Sequence, residues 1–321
     1  MNAAFALYLA RRLLIAALLL LIISFAVFSL LFIAPGDPIQ ALIGVGAAPS
    51  PETVQHLRQE YHLDEPFLAQ YWFWLQGALQ LDFGESITTH LSVTETIKQR
   101  LPVTLFLGTY AFTLTMVFGI GLGVLAALRK RSVLDRGIVA GVLLGISTPA
   151  FVTGLLLLYV FSISLPWFPS FGAGSGFVDR LWHLTLPAVA MAVGDTALIV
   201  RHTRASMINV LDQDYLTFAR ARGLSRWRCL YAYALRNALI PVVTVGGFLL
   251  SFLLTSAVLV EITFSLPGIG NTLVNAATSK DIPLLQGVAL LVAAMIILGN
   301  LIADIAYMVV DPRIRIGGRA R

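Results

Sequence analysis

A chain of 321 residues that is 58% hydrophobic and 12% charged carries more apolar surface than one water-soluble domain of this size can hide. Its formal net charge of +5 would suit a nucleic-acid binder, but the basic residues cluster beside hydrophobic runs, which is the pattern of membrane topology. One cysteine, Cys229, excludes a disulfide framework within the chain, and without a GxxxxGK[ST] phosphate loop the chain is not itself a nucleotide-hydrolysing engine.

Residues 13–34 are a run of 22 without a charge, enough to cross about 30 Å of hydrocarbon. Arg11 and Arg12 precede it as they would the core of a secretion signal. The run is too long for that, and no small-residue cleavage site follows, so a retained first span is expected. Pro35-Gly36-Asp37-Pro38 stops the helix and a mostly polar segment follows to residue 103. Within it, Ser50-Pro51-Glu52 predicts the cap of a helix to about residue 61. Residues 70–81 predict a second helix, with aromatics at Tyr71, Trp72, Phe73 and Trp74 that suit a small core or an interfacial anchor better than a ligand surface. His56 and His62 have no third ligand at useful spacing, so no metal site is expected.

Residues 104–128 predict the second span, with Gly119-x-x-x-Gly123 and Ala127 placed for close approach of two membrane helices. Arg129-Lys130-Arg131 closes it. The third span, 137–163, is interrupted at Ser147-Thr148-Pro149, where proline removes a backbone hydrogen bond and kinks the helix. Such a kink either lines a pore or fits a neighbour. A Pro-, Gly- and aromatic-rich loop is expected over 166–184, then a short fourth span, 186–200, holding Asp195.

Residues 214–241 are the longest stretch that cannot lie in lipid, with five arginines between Arg220 and Arg236 and no acid after Asp214. Met207, Val210, Leu211, Tyr215 and Phe218 recur at helical spacing before it. Gly223 suits the left-handed residue that stops a helix, and Ser225 suits the cap of a new one. The segment reads as helix, glycine elbow, helix at a membrane surface; the alternative is a basic loop that only sets topology. The fifth span, 240–260, ends in the turn-forming Glu261-Ile262-Thr263-Phe264-Ser265-Leu266-Pro267-Gly268-Ile269-Gly270, and the sixth is 283–310.

With the N-terminus in the cytoplasm, 17 of the 22 Lys and Arg fall inside, and 11 of the 17 acids fall outside. Six spans with both ends cytoplasmic follow, with the arginine-rich loop inside. Asp195 is a carboxylate in a span, which is costly and calls for a partner on another helix. It either lines a polar path or is a buried strut. Asp304, within two turns of the cytoplasmic end, reads as structural, and Glu261 beside Pro267-Gly268 as shaping a gate-side loop. There is no His-Glu-x-x-His or Gly-x-Ser-x-Gly, which argues against an intramembrane hydrolase. A secondary transporter would show inverted repeats with paired broken helices, and neither is clear here.

Residue by residue, 214–241 resembles the EAA loop of ABC-transporter permeases, in which a short cytoplasmic helix ending at a glycine docks into a cleft on the ATPase. Ala219 and Gly223 fall on the second alanine and the glycine of that motif. Thr217 replaces the general glutamate and Pro241 comes five residues late, as in the dipeptide/oligopeptide/nickel branch. Pro35-Gly36-Asp37-Pro38, Gln70-Tyr71-Trp72, Asp82-Phe83-Gly84-Glu85-Ser86 and Arg100-Leu101-Pro102 resemble that branch's first outer loop. Glu261-x-x-Phe264-x-x-Pro267-Gly268-x-Gly270, Asn300-Leu301-x-x-Asp304-x-x-Tyr307 and Asp311-Pro312-Arg313 resemble its C-terminal third.

The resemblance implies an all-α integral membrane protein with six transmembrane helices and a small helical extracytoplasmic domain between the first two, in a bacterial plasma (inner) membrane. Its parts would be a tail and first span (1–34), an outer loop domain (35–103), a five-helix core (104–313) with a coupling loop (201–239), and a tail (314–321). The large outer loop marks the first of the family's two permeases. The chain would pair with a second, homologous permease, two ABC ATPase subunits that hold the ATP and Mg, and an extracytoplasmic substrate-binding protein. It would hold no cofactor of its own, and its other contact would be membrane lipid. Coupling would run through Thr217, Ala219, Arg220, Ala221, Arg222, Gly223, Leu224 and Ser225. The candidate path or gate residues are Asp195, Ser147, Pro149, Glu261, Pro267 and Gly268. The solute would be a peptide or a related small molecule.

Overall fold

The computed structural model describes residues 3–33, 52, 55 and 64–310. The turn at 35–38, most of the helix expected to end near residue 61, and Asp311-Pro312-Arg313 lie outside these. Among the described residues the chain is built of helices, with one isolated bridge between Glu85 and Ser92. Among the described residues five helices are long and apolar enough to cross a membrane, or six when the bent pair Val133–Ser147 with Ala150–Ser164 is counted as one broken span. The architecture is the expected all-α, six-span integral membrane protein. Two compact units can be distinguished.

The first unit is Met1–Thr104 with Pro267–Ile297. Helix α1, Ala3–Ile33, begins well before the uncharged run and includes Arg11 and Arg12. Helix α2, Phe67–Leu79, lays Phe67, Tyr71 and Trp74 against Phe25, Phe28 and Phe32 of α1, with ring centroids as close as 5.0 Å. The Ser24 hydroxyl meets the Tyr71 hydroxyl at 2.8 Å. So Tyr71 and Trp74 form a small aromatic core, while Trp72 and Phe73 stay exposed. Helix α3, Val93–Leu128, starts eleven residues earlier than the apolar run alone predicts and carries Pro102 inside it. At 1.5 Å per residue its 36 residues reach about 54 Å, so the polar turns before Pro102 extend beyond the hydrocarbon.

This unit also holds helix α9, Ile269–Thr278, and the part of helix α10, Ile282–Val310, that runs to Ile297. The first was not expected from the sequence. It buries Ile269 and Ala276, with Leu273 packed beside them, against Val93, Ile97 and Val288. The Thr104 hydroxyl accepts a hydrogen bond from the Ile269 N–H at 2.8 Å and fixes where α9 begins. Asp281, fully buried, caps α10 by accepting from the Leu284 N–H at 3.2 Å. It also accepts from the Ser86 hydroxyl at 2.6 Å and the Thr88 N–H at 3.1 Å, which holds the 86–89 turn in place.

The second unit is Leu105–Leu266 with Leu298–Arg321. Helices α4, Val133–Ser147, and α5, Ala150–Leu158, are bent by 104° at the Ser147-Thr148-Pro149 site. The sequence predicts a kink there, and the structure has a break. The hydroxyls of Ser147 and Thr148 turn back onto the Leu143 and Leu144 carbonyls at 2.8 and 2.9 Å, and Pro149 takes an extended ψ of 143° before α5 starts. Tyr159–Ser164 continues α5 in π geometry.

Helix α6, Gly176–Leu211, has 36 residues, so the expected short fourth span with a loop over 166–184 is corrected. Half of that loop is helix. Pro187, which the expected bounds of 186–200 put in the first turn of the span, sits buried inside α6, where packing compensates for the bond its ring removes. Glycine makes the closest crossing: a Cβ on Gly119 would stand 2.5 Å from Ile199, and one on Gly123 2.5 Å from Thr203. Helix α7 is Asp214–Ala221. The next helical run starts with Arg226–Arg228, passes through a π stretch at Cys229–Leu235, and continues as α8, Arg236–Thr263. The core of this unit includes Leu107, Leu184, Met191, Val260 and Phe264.

Candidate functional site

The arginine-rich segment folds into the expected elbow. The Leu224 N–H donates to the Ala219 carbonyl at 3.3 Å and the Gly223 N–H to the Arg220 carbonyl at 2.9 Å. This pair of bonds is a Schellman closure, and the residue it needs in the left-handed region is Gly223, with φ of +78°. No atom lies within 4 Å of where a Cβ on Gly223 would stand, so backbone conformation alone demands glycine there. Ser225 then caps the next helix, its hydroxyl accepting from the Arg228 N–H at 3.3 Å.

Beneath the elbow, Leu216, Ala219 and Leu224 pack on Met207, Cys229, Ala234 and Ala238, and on Ala127 of α3. Asn237 donates to the Tyr215 hydroxyl at 3.1 Å, tying α8 to α7. The helical spacing before Gly223 does not run through as one helix. Helix α6 ends at Leu211, Gln213 is extended, and α7 starts on a new axis. Leu216 is therefore buried, while Tyr215 and Phe218 face outward, which reverses the sequence expectation for those two.

The outer surface of the elbow carries Thr217, Arg220, Ala221, Arg222, Ser225, Arg226 and Arg228. Among them stand Phe218 (68% exposed), Trp227 (69%) and Tyr231 (60%), and Trp227 stacks on Tyr231 at 5.8 Å. Three large exposed aromatics among arginines form a surface suited to another protein. The exposure of Phe218 depends on the break at 212–213, which the sequence does not announce, and Trp227 and Tyr231 lie in the helical run after the elbow.

A second missed feature braces this region. Asp135, 3% exposed in the first turn of α4, receives two bonds from the Arg204 guanidinium of α6, at 2.7 and 2.8 Å. It also accepts from the Arg131 N–H at 2.9 Å. The bidentate pair locks the α3–α4 corner to the part of α6 that leads into the elbow. The two residues lie 69 apart in sequence, so no local pattern announces them.

The path candidates fall at two places. A Cβ on Gly145 would stand 3.1 Å from the Val193 carbonyl oxygen, so α4 crosses α6 just before the 147–149 break and beside Asp195. Asp195 is half-buried and, among the described residues, has no hydrogen-bond or ion-pair partner, so the partner expected on another helix is not found. Ser147 and Pro149 are exposed. Glu261 is fully buried near the end of α8, which closes with Leu266 N–H to Glu261 carbonyl and Ser265 N–H to Ile262 carbonyl bonds. Ser265 takes the left-handed position there, at φ of +50°. Pro267 is half-buried, and Gly268 is the extended cap of α9.

Residues 119–316 match the family model described as binding-protein-dependent transport system inner membrane component, and residues 5–108 match its N-terminal companion. A Brucella suis biovar 1 protein provisionally named a peptide permease is 39% identical over 315 residues, covering 96% of this chain and 99% of that one. The oligopeptide transport system permease protein AppB of Bacillus subtilis is 38% identical over 313 residues, covering 96% and 98%. Among solved structures, an inward-facing MetNI methionine ABC transporter matches at a TM-score of 0.56 with 17% identity, covering 67% of this chain and 96% of that one.

Proposed function

The chain belongs to the family of binding-protein-dependent transport system inner membrane components, and from that premise we propose which solute this ABC importer permease carries and where it meets its motor. As a member it is a multi-pass inner-membrane subunit, and its family works with ATPase and solute-binding partners. The solute is a peptide or a closely related small molecule. This reading rests on relatives named for peptide or oligopeptide transport that align over nearly the full length of both chains.

Coupling runs through residues 214–228. The observation that carries this is a rigid, doubly capped elbow that offers arginines and exposed aromatics in a chain otherwise fit for lipid. The assembly comprises this chain, a homologous permease, two ABC ATPases that hold ATP and Mg, and an extracytoplasmic binding protein. ATPase closure pushes on α7, and the pair of permeases alternates between outward and inward access. Asp195 and the 147–149 break line the path, while Glu261 and Pro267-Gly268 shape its gate. Both termini lie in the cytoplasm.

Reconstitution of the chain with its partner subunits in vesicles tests both parts. Short peptides delivered by the binding protein should stimulate ATP hydrolysis and accumulate inside. Stimulation by an oligosaccharide or metal chelate and not by peptides would overturn the solute class. Unchanged ATPase co-purification after Phe218→Glu with Trp227→Glu would overturn the docking assignment.

A further inference from the structure

Within the first unit lies a groove of about 570 Å³ walled by α1 (Ala17 to Ser24), α2 (Leu75 to Leu79), the start of α3 (Thr94 to Leu101) and α10 (Leu290 to Ala294). Its walls are almost wholly apolar. The two hydroxyls on it are satisfied: Ser24 by the Leu21 carbonyl and Tyr71, and Thr94 by the Leu81 carbonyl. One cation, Lys98, stands at the rim and is exposed, and among the described residues it makes no hydrogen bond or ion pair. The nearest acid on its own helix face, Glu95, accepts from Gln99 at 3.3 Å instead.

We propose that an anionic phospholipid seats one acyl chain in this groove and sets its phosphate on Lys98. The groove has the polarity gradient of an amphiphile. Lys98 sits six residues into a helix whose first turns extend beyond the hydrocarbon, so its ammonium lies at headgroup depth. From there the walls run inward: Ala17 lies seven residues, about 10 Å, deeper along α1 than Ser24. An extended peptide segment would find nothing there to pair with its backbone N–H and C=O groups. A neutral apolar occupant would leave the lysine without a counter-charge. An acyl chain below a phosphate satisfies both ends.

The test extracts the assembled transporter from membranes of equal phosphatidylglycerol and phosphatidylcholine and counts retained lipids by native mass spectrometry. Phosphatidylglycerol should exceed phosphatidylcholine by roughly five-fold, the effect of one cation near a membrane surface. Lys98→Gln should bring the ratio to parity, Lys98→Arg should keep it, and Ala294→Trp, which fills the deep end, should lower both lipids. Parity in the unaltered protein, or an unchanged ratio in Lys98→Gln, overturns the headgroup assignment. A photo-reactive side chain at Leu291 should cross-link to lipid, and cross-linking to polypeptide instead overturns the occupant. Should Ala294→Trp fail to assemble, the Lys98 pair and the cross-link still decide the matter.

Discussion

At Gly223 the conflict between side chain and backbone is free of any packing term. The space around a Cβ is open, and φ is +78°. Valine there costs on the order of 1–2 kcal/mol in the left-handed region, and branching at Cβ makes it worse. Continuing the helix instead would swing Arg226, Trp227 and Arg228 off their present directions. Gly223→Val is therefore expected to leave a membrane-inserted protein that pairs with its partner permease but hydrolyses ATP without uptake. Gly223→Ala should fall between the two. Substrate-stimulated ATPase and uptake at the normal level in the valine variant would remove the elbow from coupling. Asp195 poses the opposite case, a carboxylate in a span with no partner among the described residues. Asp195→Leu should lower uptake while co-purification with the ATPases survives; loss of assembly would make it a strut, and unchanged uptake would give it no role.

Among the elements, the legible ones were those that a single local cause determines. The glycine elbow, the Ser225 cap and the existence of the five uninterrupted spans, though not all of their bounds, follow from residue types at fixed offsets. What stayed hidden depends on packing. Pro187 falls in the first turn of the expected fourth span, where a proline is tolerated, while the burial that offsets its cost inside the longer α6 comes from packing. Helix α9 carries Ile269, Leu273 and Ala276 on one face, a pattern visible in sequence but masked by the turn residues before it. The break at 212–213 moved Phe218 from an expected core position to the surface. The Asp135–Arg204 brace joins distant residues and could not be read at all. It stiffens the stem behind the elbow, so Asp135→Asn should lower uptake several-fold at normal ATPase binding, and Arg204→Lys, which keeps the charge and loses the fork, should recover only part of it. Full uptake in both variants would show that the stem needs no brace.

For the whole molecule, the proposed orientation, with both termini in the cytoplasm, rests on the 17 of 22 basic residues that it places on that side. Cys229 is buried, so introduced cysteines can be read against a quiet background. A cysteine at Gln55 should react with a membrane-impermeant reagent on intact cells, and one at Ser225 only after permeabilisation. The reverse pattern would invert the topology and place the elbow on the wrong side for an ATPase.

The broken third span bears on how the chain is threaded into its membrane during synthesis. Its α4 half has 15 residues, and α5 with its π continuation has 15 more, each about 22 Å long and turned from the other by 104°. Neither half reaches across about 30 Å of hydrocarbon. Both pack against α6, which the ribosome makes afterwards. The translocon must therefore hold residues 133–164 half-inserted until α6 arrives to accept them. A nascent chain stalled before residue 176 should leave this region open to an aqueous probe or to protease, and one stalled beyond 211 should protect it. Equal protection at both lengths would mean that the broken span inserts unaided.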